Sequence, residues 1–380
     1  MRKLKVIVSG GGTGGHIFPA ISIANELKER FPETEILFVG ALGKMEMERV
    51  PAAGYRIVGL PVIGFPRKPS FLMLTFFLKL MKSMRLAKKI IADFKPDVAI
   101  GVGGFASGPI LKAAVRKGVP AILQEQNSYA GVTNKLLAAK VDKICVAYPN
   151  MERYFPSEKI VLTGNPIRKN LIEAVINKDE AFMYFELNAE KQVVLIIGGS
   201  LGARTLNESV LANLELIRKS EAQILWQTGS YYYKEMLERL GENSPENLHT
   251  MEFVSRMDLA YAVADVVISR AGAGTISELC LLGKPSVLVP SPNVAEDHQT
   301  KNALSLVDNQ AALLINDADS KDNLWIETFN LLNDKPRLKS LSENIRKLGR
   351  PNAAKEIVDV ILEVASFPFP QNGGMPGASG

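Results

Sequence analysis

Lys5-Val-Ile-Val-Ser-Gly-Gly-Gly12 and Gln192-Val-Val-Leu-Ile-Ile-Gly-Gly199 decide the fold: each is a short aliphatic, β-branched run that breaks into glycine. A run of that length, apolar on both faces, reads as a buried strand, and the glycines after it as a tight turn into a helix. Outward from the first stretch, similar runs stand at Leu4–Ser9, Glu35–Val39, Asp97–Val102, Pro120–Leu123, Lys143–Ala147 and Lys159–Leu162. Outward from the second they stand at Gln192–Ile197, Gln223–Gln227, His249–Val254, Asp265–Ser269, Pro285–Val289 and Ala311–Ile315. Amphipathic stretches separate them, so the fold class is α/β: two Rossmann-like, doubly wound domains with a ligand cleft between them, at the carboxyl ends of the strands. The expected domains are 1–164 and 191–345. A polar linker at 165–190 joins them, a C-terminal helix at 346–365 can return to the first domain, and a Pro-, Gly- and Ser-rich tail at 366–380 is expected to be disordered.

At 380 residues the chain exceeds one ordinary domain. It is 47% hydrophobic and 22% charged, enough for a sizeable core, which excludes disordered, collagen-like and disulfide-scaffold classes. Cys145 and Cys280 have no metal-ligand spacing, so no metal and a reducing compartment are expected. The first apolar run stops at Val8, too short for a secretory segment. Phe71 to Leu78, interrupted by Thr75 and closed by Lys79, falls far short of the roughly 20 residues that cross a bilayer. The net charge of +5 favours anionic partners.

Gly10-Gly-Gly-Thr-Gly-Gly-His16 enters a helix near Pro19, where glycine lets a ligand approach and free N–H groups attract anions. It contains GxGxxG (Gly10, Gly12, Gly15), yet the second strand ends Phe38-Val39-Gly40, without the acid that a dinucleotide ribose wants. No Walker Lys-Ser/Thr follows either. A further glycine turn, Gly101-Val-Gly-Gly-Phe-Ala-Ser-Gly-Pro109, follows another first-half strand. His16 begins a helix whose dipole disfavours imidazolium, which suits a general base; a histidine bonded to a nearby carbonyl is the alternative.

In the second half, Ser269-Arg-Ala-Gly-Ala-Gly-Thr-Ile-Ser-Glu278 leaves a strand with Arg270 and enters a helix. Arg270 and the Ser200 turn suit a diphosphate, and Glu278 can accept ribose hydroxyls; read alone, Glu278 is a solvated helix charge. Glu296-Asp-His-Gln-Thr-Lys-Asn302 offers His298 and Gln299 to a polyhydroxylated ligand. Asp317-Ala-Asp319 reads as a solvated turn.

Together with Gly103-Gly-Phe-Ala-Ser-Gly-Pro109, Gln124-Glu-Gln-Asn-Ser-Tyr-Ala-Gly-Val-Thr-Asn134, Gly164-Asn-Pro-Ile-Arg168 and Gly198-Gly-Ser-Leu-Gly-Ala-Arg204, these motifs resemble the MurG transferases of peptidoglycan synthesis, of the GT-B fold. The resemblance implies inverting transfer of N-acetylglucosamine from UDP-N-acetylglucosamine (UDP-GlcNAc) to the C4 hydroxyl of lipid I, giving lipid II and UDP, without a cofactor or a nucleic-acid partner. It also implies the site. Thr13, Gly14, Gly15, Asn127 and Arg168 border sugar and diphosphate, Asn134 also binds substrate, and Ser200 and Arg270 hold phosphate. Val254 meets uracil through its backbone, with Phe253 and Met257 near. Ala273, Gly274, Thr275, Ile276, Ser277 and Glu278 wrap diphosphate and ribose, while His298 and Gln299 face the amino sugar. Leu201 and Phe105 depart from the Gln and Tyr of many members, and Phe105 lacks the hydroxyl that Tyr would offer the acceptor.

Residues 65–92 hold seven basic residues and no acid. Lys79, Lys82, Arg85 and Lys89 share a helix face, and Phe71, Leu72, Phe76 and Phe77 precede or flank them. This reads either as a core helix with solvated charges or as a dock for an anionic membrane surface. The resemblance favours the dock, peripheral on the cytoplasmic face of the bacterial membrane. Three rival functions stand beside the transferase: a UDP-GlcNAc 2-epimerase of the same fold, an NAD oxidoreductase and a non-catalytic scaffold.

Overall fold

The structure is a computed structural model that describes residues 3–64, 72–169, 171 and 176–368. It divides into two compact units: residues up to Ile167 together with those from Asn352 onward, and Arg168–Pro351.

Unit 1 is built on a seven-stranded sheet ordered β3-β2-β1-β4-β5-β6-β7. The strands are β1 (Lys5–Ser9), β2 (Glu35–Ala41), β3 (Arg56–Leu60), β4 (Val98–Gly101), β5 (Ala121–Glu125), β6 (Lys143–Val146) and β7 (Ile160–Leu162). All pairs are parallel, with Val6 opposite both Ile36 and Val98. Alternation along β1 feeds two cores. Ile7 points with Leu37, Ala99 and Leu123 towards Ala87, Ile91 and Ile110. Val6 and Val8 point the other way, towards Ile17, Ile23 and Leu27 of the helix Gly14–Arg30 and Ile357 and Ile361 of the helix Ala353–Val364. Burying each such side chain contributes about 1.5–3 kcal/mol, so the period of two sets the register.

The helix Ala353–Val364 is locked to unit 1 by Arg30, which pairs with Asp359 at 2.7 Å, and Phe367 stands edge-on to Phe31 at 5.6 Å. Phe367 therefore packs, although the sequence places it in the tail; residues 369–380 lie outside the described ones.

Unit 2 carries β8 (Val193–Ile197), β9 (Gln223–Gln227), β10 (Leu248–Met251), β11 (Val266–Ser269), β12 (Ser286–Leu288) and β13 (Leu313–Leu314), ordered β10-β9-β8-β11-β12-β13 and all parallel. Trp226 and Trp325 are fully buried in its core. The stretch read as a polar linker contains the helix Lys178–Tyr184, and Phe182 and Phe185 are buried in the core of unit 2. In each sheet the strand order reverses beside the first strand, between β1 and β4 and between β8 and β11. The turns that leave those strands are thus the switch-point turns, where open α/β sheets bind ligands.

Candidate functional site

In unit 1 the turn after β1 holds Thr13, Gly14, Gly15 and His16. Thr13 sits in extended conformation at the start of the helix, with no side-chain cap and no acid in the first turn; His16 N–H turns back to Thr13 O at 3.1 Å, and the N–H groups of Gly14 and Gly15 precede it at the helix start. Thr13 Oγ1 lies 3.2 Å from His16 Nδ1. The turn after β4 nests against it. Gly103 and Gly104 have φ of +93° and +84°; a Cβ on Gly103 would lie 2.5 Å from His16 Cδ2, and one on Gly104 would lie 2.3 Å from Gly11 O. Only glycine allows both the left-handed backbone and this approach. Ser107 Oγ shares its one proton between Gly103 O at 2.7 Å and Ser9 O at 2.9 Å, and Gln126 Nε2 donates to Val102 O at 2.7 Å, so three strand ends are tied together.

Asn127 and Asn134 both meet Glu125, which ends β5. Its buried carboxylate accepts from Asn127 N–H at 3.1 Å, Gly131 N–H at 3.0 Å and Asn134 Nδ2 at 2.8 Å. Burial raises its pKa above the usual carboxylate range, and these donors pull the other way. Phe105 is exposed, with its ring against Gly64.

In unit 2 the turn Gly198–Gly202 carries Ser200 and exposed Leu201 into the helix Arg204–Ala212. Ser200 O accepts from Ser230 N–H at 3.1 Å, and Gln227 Nε2 donates to Gly199 O at 3.0 Å. Val254 is buried and its N–H donates to Gln227 Oε1 at 3.0 Å, so that group is already committed within the chain; Phe253 beside it is exposed. The helix Ala273–Leu282 starts at Gly272 without a side-chain cap, presenting the N–H groups of Ala273, Gly274 and Thr275. Ile276 is buried in the core, and Ser277 Oγ turns back to Ala273 O at 2.8 Å. Gln299 Oε1 accepts from Ser291 N–H at 2.8 Å, which leaves its amide NH2 to meet a ligand; His298 is half-buried beside it at the start of the helix His298–Val307.

One sequence expectation changes here, that of Asp317, and Glu278, Arg168 and Arg270 show their partners within unit 2. Glu278, expected to accept ribose hydroxyls, accepts from Arg168 at Oε1 (3.2 Å) and from the hydroxyl of Tyr261 at Oε2 (2.9 Å). Burial raises its pKa, opposed by Arg168 and Tyr261. Arg168 accordingly pairs with Glu278 within unit 2. Arg270 is held by Asp317 and by the carbonyls of Val289 and Pro290 at 3.1 and 3.2 Å. Asp317 is thus no solvated turn: the loop after β13 returns to the strand ends, where its other oxygen accepts from Thr205 Oγ1 at 2.9 Å.

The helix Leu72–Phe94 buries Ser83, Ala87, Ile90 and Ile91. Its other face exposes Leu74 (60%), Phe77 (51%), Leu78 (54%) and Met81 (49%), continued by exposed Lys79, Lys82, Arg85 and Lys89. Phe76 is half-buried, edge-on to Phe77, so Leu74, Leu78 and Met81 join Phe77 in place of Phe76. Phe71 lies outside the described residues. Among the described residues no helix is long and apolar enough to cross a membrane.

Residues 6–146 match the glycosyltransferase family 28 N-terminal domain, and residues 193–357 match its C-terminal domain. The chain is 57% identical over 364 residues to the UDP-N-acetylglucosamine–N-acetylmuramyl-(pentapeptide) pyrophosphoryl-undecaprenol N-acetylglucosamine transferase of Parabacteroides distasonis, covering 96% of this chain and 99% of that one. Its like-named relative in Bacteroides thetaiotaomicron is 53% identical, with coverages of 96% and 98%. Among solved structures, MurG of Acinetobacter baumannii superposes with a TM-score of 0.75 at 28% identity, covering 95% and 99% of the two chains. A UDP-N-acetylglucosamine 2-epimerase superposes at 0.68 with 15% identity, covering 99% and 100%, a likeness of fold alone.

Proposed function

The chain belongs to the MurG transferases of glycosyltransferase family 28, and from that premise we infer that it moves N-acetylglucosamine from UDP-GlcNAc to the C4 hydroxyl of the muramoyl sugar of lipid I. The geometry that supports this reading best is in unit 2. There the Ser200 turn, Arg270, the uncapped start of Ala273–Leu282 and Gln299 stand at the carboxyl ends of β8, β11 and β12. A guanidinium and outward N–H groups suit a diphosphate, and an amide suits sugar hydroxyls.

In the transfer, the acceptor C4 oxygen attacks the donor's anomeric carbon on the face opposite UDP. The bond from that carbon to the diphosphate breaks, and configuration inverts from α to β. His16 takes the hydroxyl proton. This role requires the tautomer in which Nδ1–H donates to Thr13 Oγ1, 3.2 Å away, and Nε2 accepts the proton. Charge gathers on the leaving UDP, where Arg270 and the helix N-terminus stabilise it. Asp317 and the two carbonyls hold Arg270 in place before the donor arrives.

The apolar and basic face of Leu72–Phe94 supports peripheral docking on an anionic membrane surface, at the cytoplasmic face, where a lipid-borne acceptor lies. Each basic residue there contributes about 1 kcal/mol, screened by salt. Reversing the charge of Lys79, Lys82, Arg85 and Lys89 is expected to abolish flotation with anionic vesicles at low salt; undiminished flotation removes the dock.

Incubation with UDP-GlcNAc and a lipid I analogue tests the reaction itself. Release of UDP together with a disaccharide-lipid, both dependent on the analogue, is expected. Epimerised donor without acceptor, or no product, contradicts it.

A further inference from the structure

Among the buried carboxylates of unit 1, Glu46 is the one that braces the first glycine turn. Glu46 opens the helix Glu46–Ala52 after β2, is fully buried, and gives both oxygens to backbone. Oε1 accepts from Ala41 N–H and Oε2 from Gly12 N–H, each at 2.9 Å. The surrounding backbone leaves room for the carboxylate and nothing more. A Cβ on Gly11 would lie 2.0 Å from Oε1, and one on Gly40 would lie 2.5 Å from Cγ. The turn held in this way is the one that carries His16. Its other side packs on the Gly103–Gly104 turn, so a shift of Gly11 and Gly12 is passed on to Gly104 and to the contact between His16 and Gly103.

We propose that Glu46 is a positioning residue for transfer, fixing the turn Gly10–Gly15 through Gly12 and, with it, the seat of His16 against Gly103. The proposal rests on the reading of unit 1 as the acceptor side with His16 as base. A carboxylate is what the geometry requires, because both neighbours are N–H donors on different oxygens. Glutamine keeps one of those bonds and sets its NH2 against the other donor. Aspartate is one methylene too short to reach both.

The test is Glu46→Gln in the full chain, read by steady-state kinetics with a lipid I analogue, calorimetric binding of UDP-GlcNAc, and amide hydrogen exchange across residues 8–18. A turn displaced by about 1 Å costs on the order of 100-fold in turnover. The expected result is therefore a fall in kcat of about 100-fold, faster exchange confined to that segment, and a far smaller change in UDP-GlcNAc affinity. In a His16→Ala background the same substitution is expected to cost little more, since both act on one step; a merely structural loss would multiply the two effects. Gly11→Ala keeps the carboxylate but drives a methyl into Oε1, and is expected to show the same split should Glu46→Gln fail to fold. Wild-type kcat in folded Glu46→Gln, or effects that multiply with His16→Ala, overturns the proposal. Absence of transfer by the wild-type chain overturns the function beneath it instead.

Discussion

Two glycine turns leave the first strand of their sheets, Gly10–Gly15 in unit 1 and Gly198–Gly202 in unit 2, and different chemistry braces them from behind. Glu46 accepts two N–H groups, from Ala41 and Gly12. Gln227 donates to Gly199 O and accepts from Val254 N–H, both at 3.0 Å. A carboxylate accepts only, so it can tie two donors together; an amide has both kinds of end, so it ties a carbonyl to an N–H. The difference matches what each unit is proposed to hold. A neutral brace adds no negative charge behind a turn that meets a diphosphate, whereas a turn that meets a hydroxyl tolerates a buried anion at its back.

The largest effect is expected from His16→Ala. Turnover falls by about 10²–10⁴-fold, the usual worth of a general base, while UDP-GlcNAc affinity holds because unit 2 is untouched. Steady-state kinetics beside calorimetry checks both halves of that statement. Next comes Gln227→Glu, which gives unit 2 the brace of unit 1. Gly199 O then loses its donor, at about 1–3 kcal/mol, and a carboxylate faces the donor side, so the KM for UDP-GlcNAc rises by about tenfold or more. An unchanged KM would mean that the two braces are interchangeable.

Asp317→Ala is expected to loosen Arg270 and lower the stability of unit 2 by about 1–3 kcal/mol, the range for losing one partner of a part-buried network. Both tryptophans, Trp226 and Trp325, are buried in unit 2, so their fluorescence in urea reads that unit.

The smallest effect is one of pH. Burial raises the carboxylate of Glu125 in unit 1 and of Glu278 in unit 2, so each folded unit holds that proton more tightly than the unfolded chain does. The stability this contributes is present below the ordinary carboxylate range and is lost as pH rises through the raised values. Glu278→Gln should therefore flatten the decline of tryptophan-detected stability above about pH 4.5. Glu125→Gln should leave that slope alone; equal slopes for all three proteins would remove the distinction between the units.

Much of the fold is legible in the sequence because buried parallel strands are written as short apolar runs. β3 escapes that rule: Arg56-Ile-Val-Gly-Leu60 is a half-buried edge strand opened by a charge. Its Gly59 is small because Leu42 fills the space, a Cβ there lying 2.3 Å from Leu42 Cδ2. Lys178–Tyr184 escapes because seven residues, polar at the start, show little periodicity before Phe182 is seen to be buried. The glycine turns are legible for the same reason that they work, since left-handed backbone and close approach demand glycine. Their braces are not. Glu46 meets Gly12 across 34 residues, and Asp317 meets Arg270 across 47, so no local pattern marks either one. Tyr261, which holds Glu278 across 17 residues, is hidden for the same reason.

The division of labour is tested most directly by titrating UDP-GlcNAc into two full-length variants, His16→Ala and Gln227→Glu, in a calorimeter. Wild-type affinity in the first and clearly weakened affinity in the second is the expected result. Weakened binding in His16→Ala with full binding in Gln227→Glu would put the donor on the wrong unit and contradict the assignment.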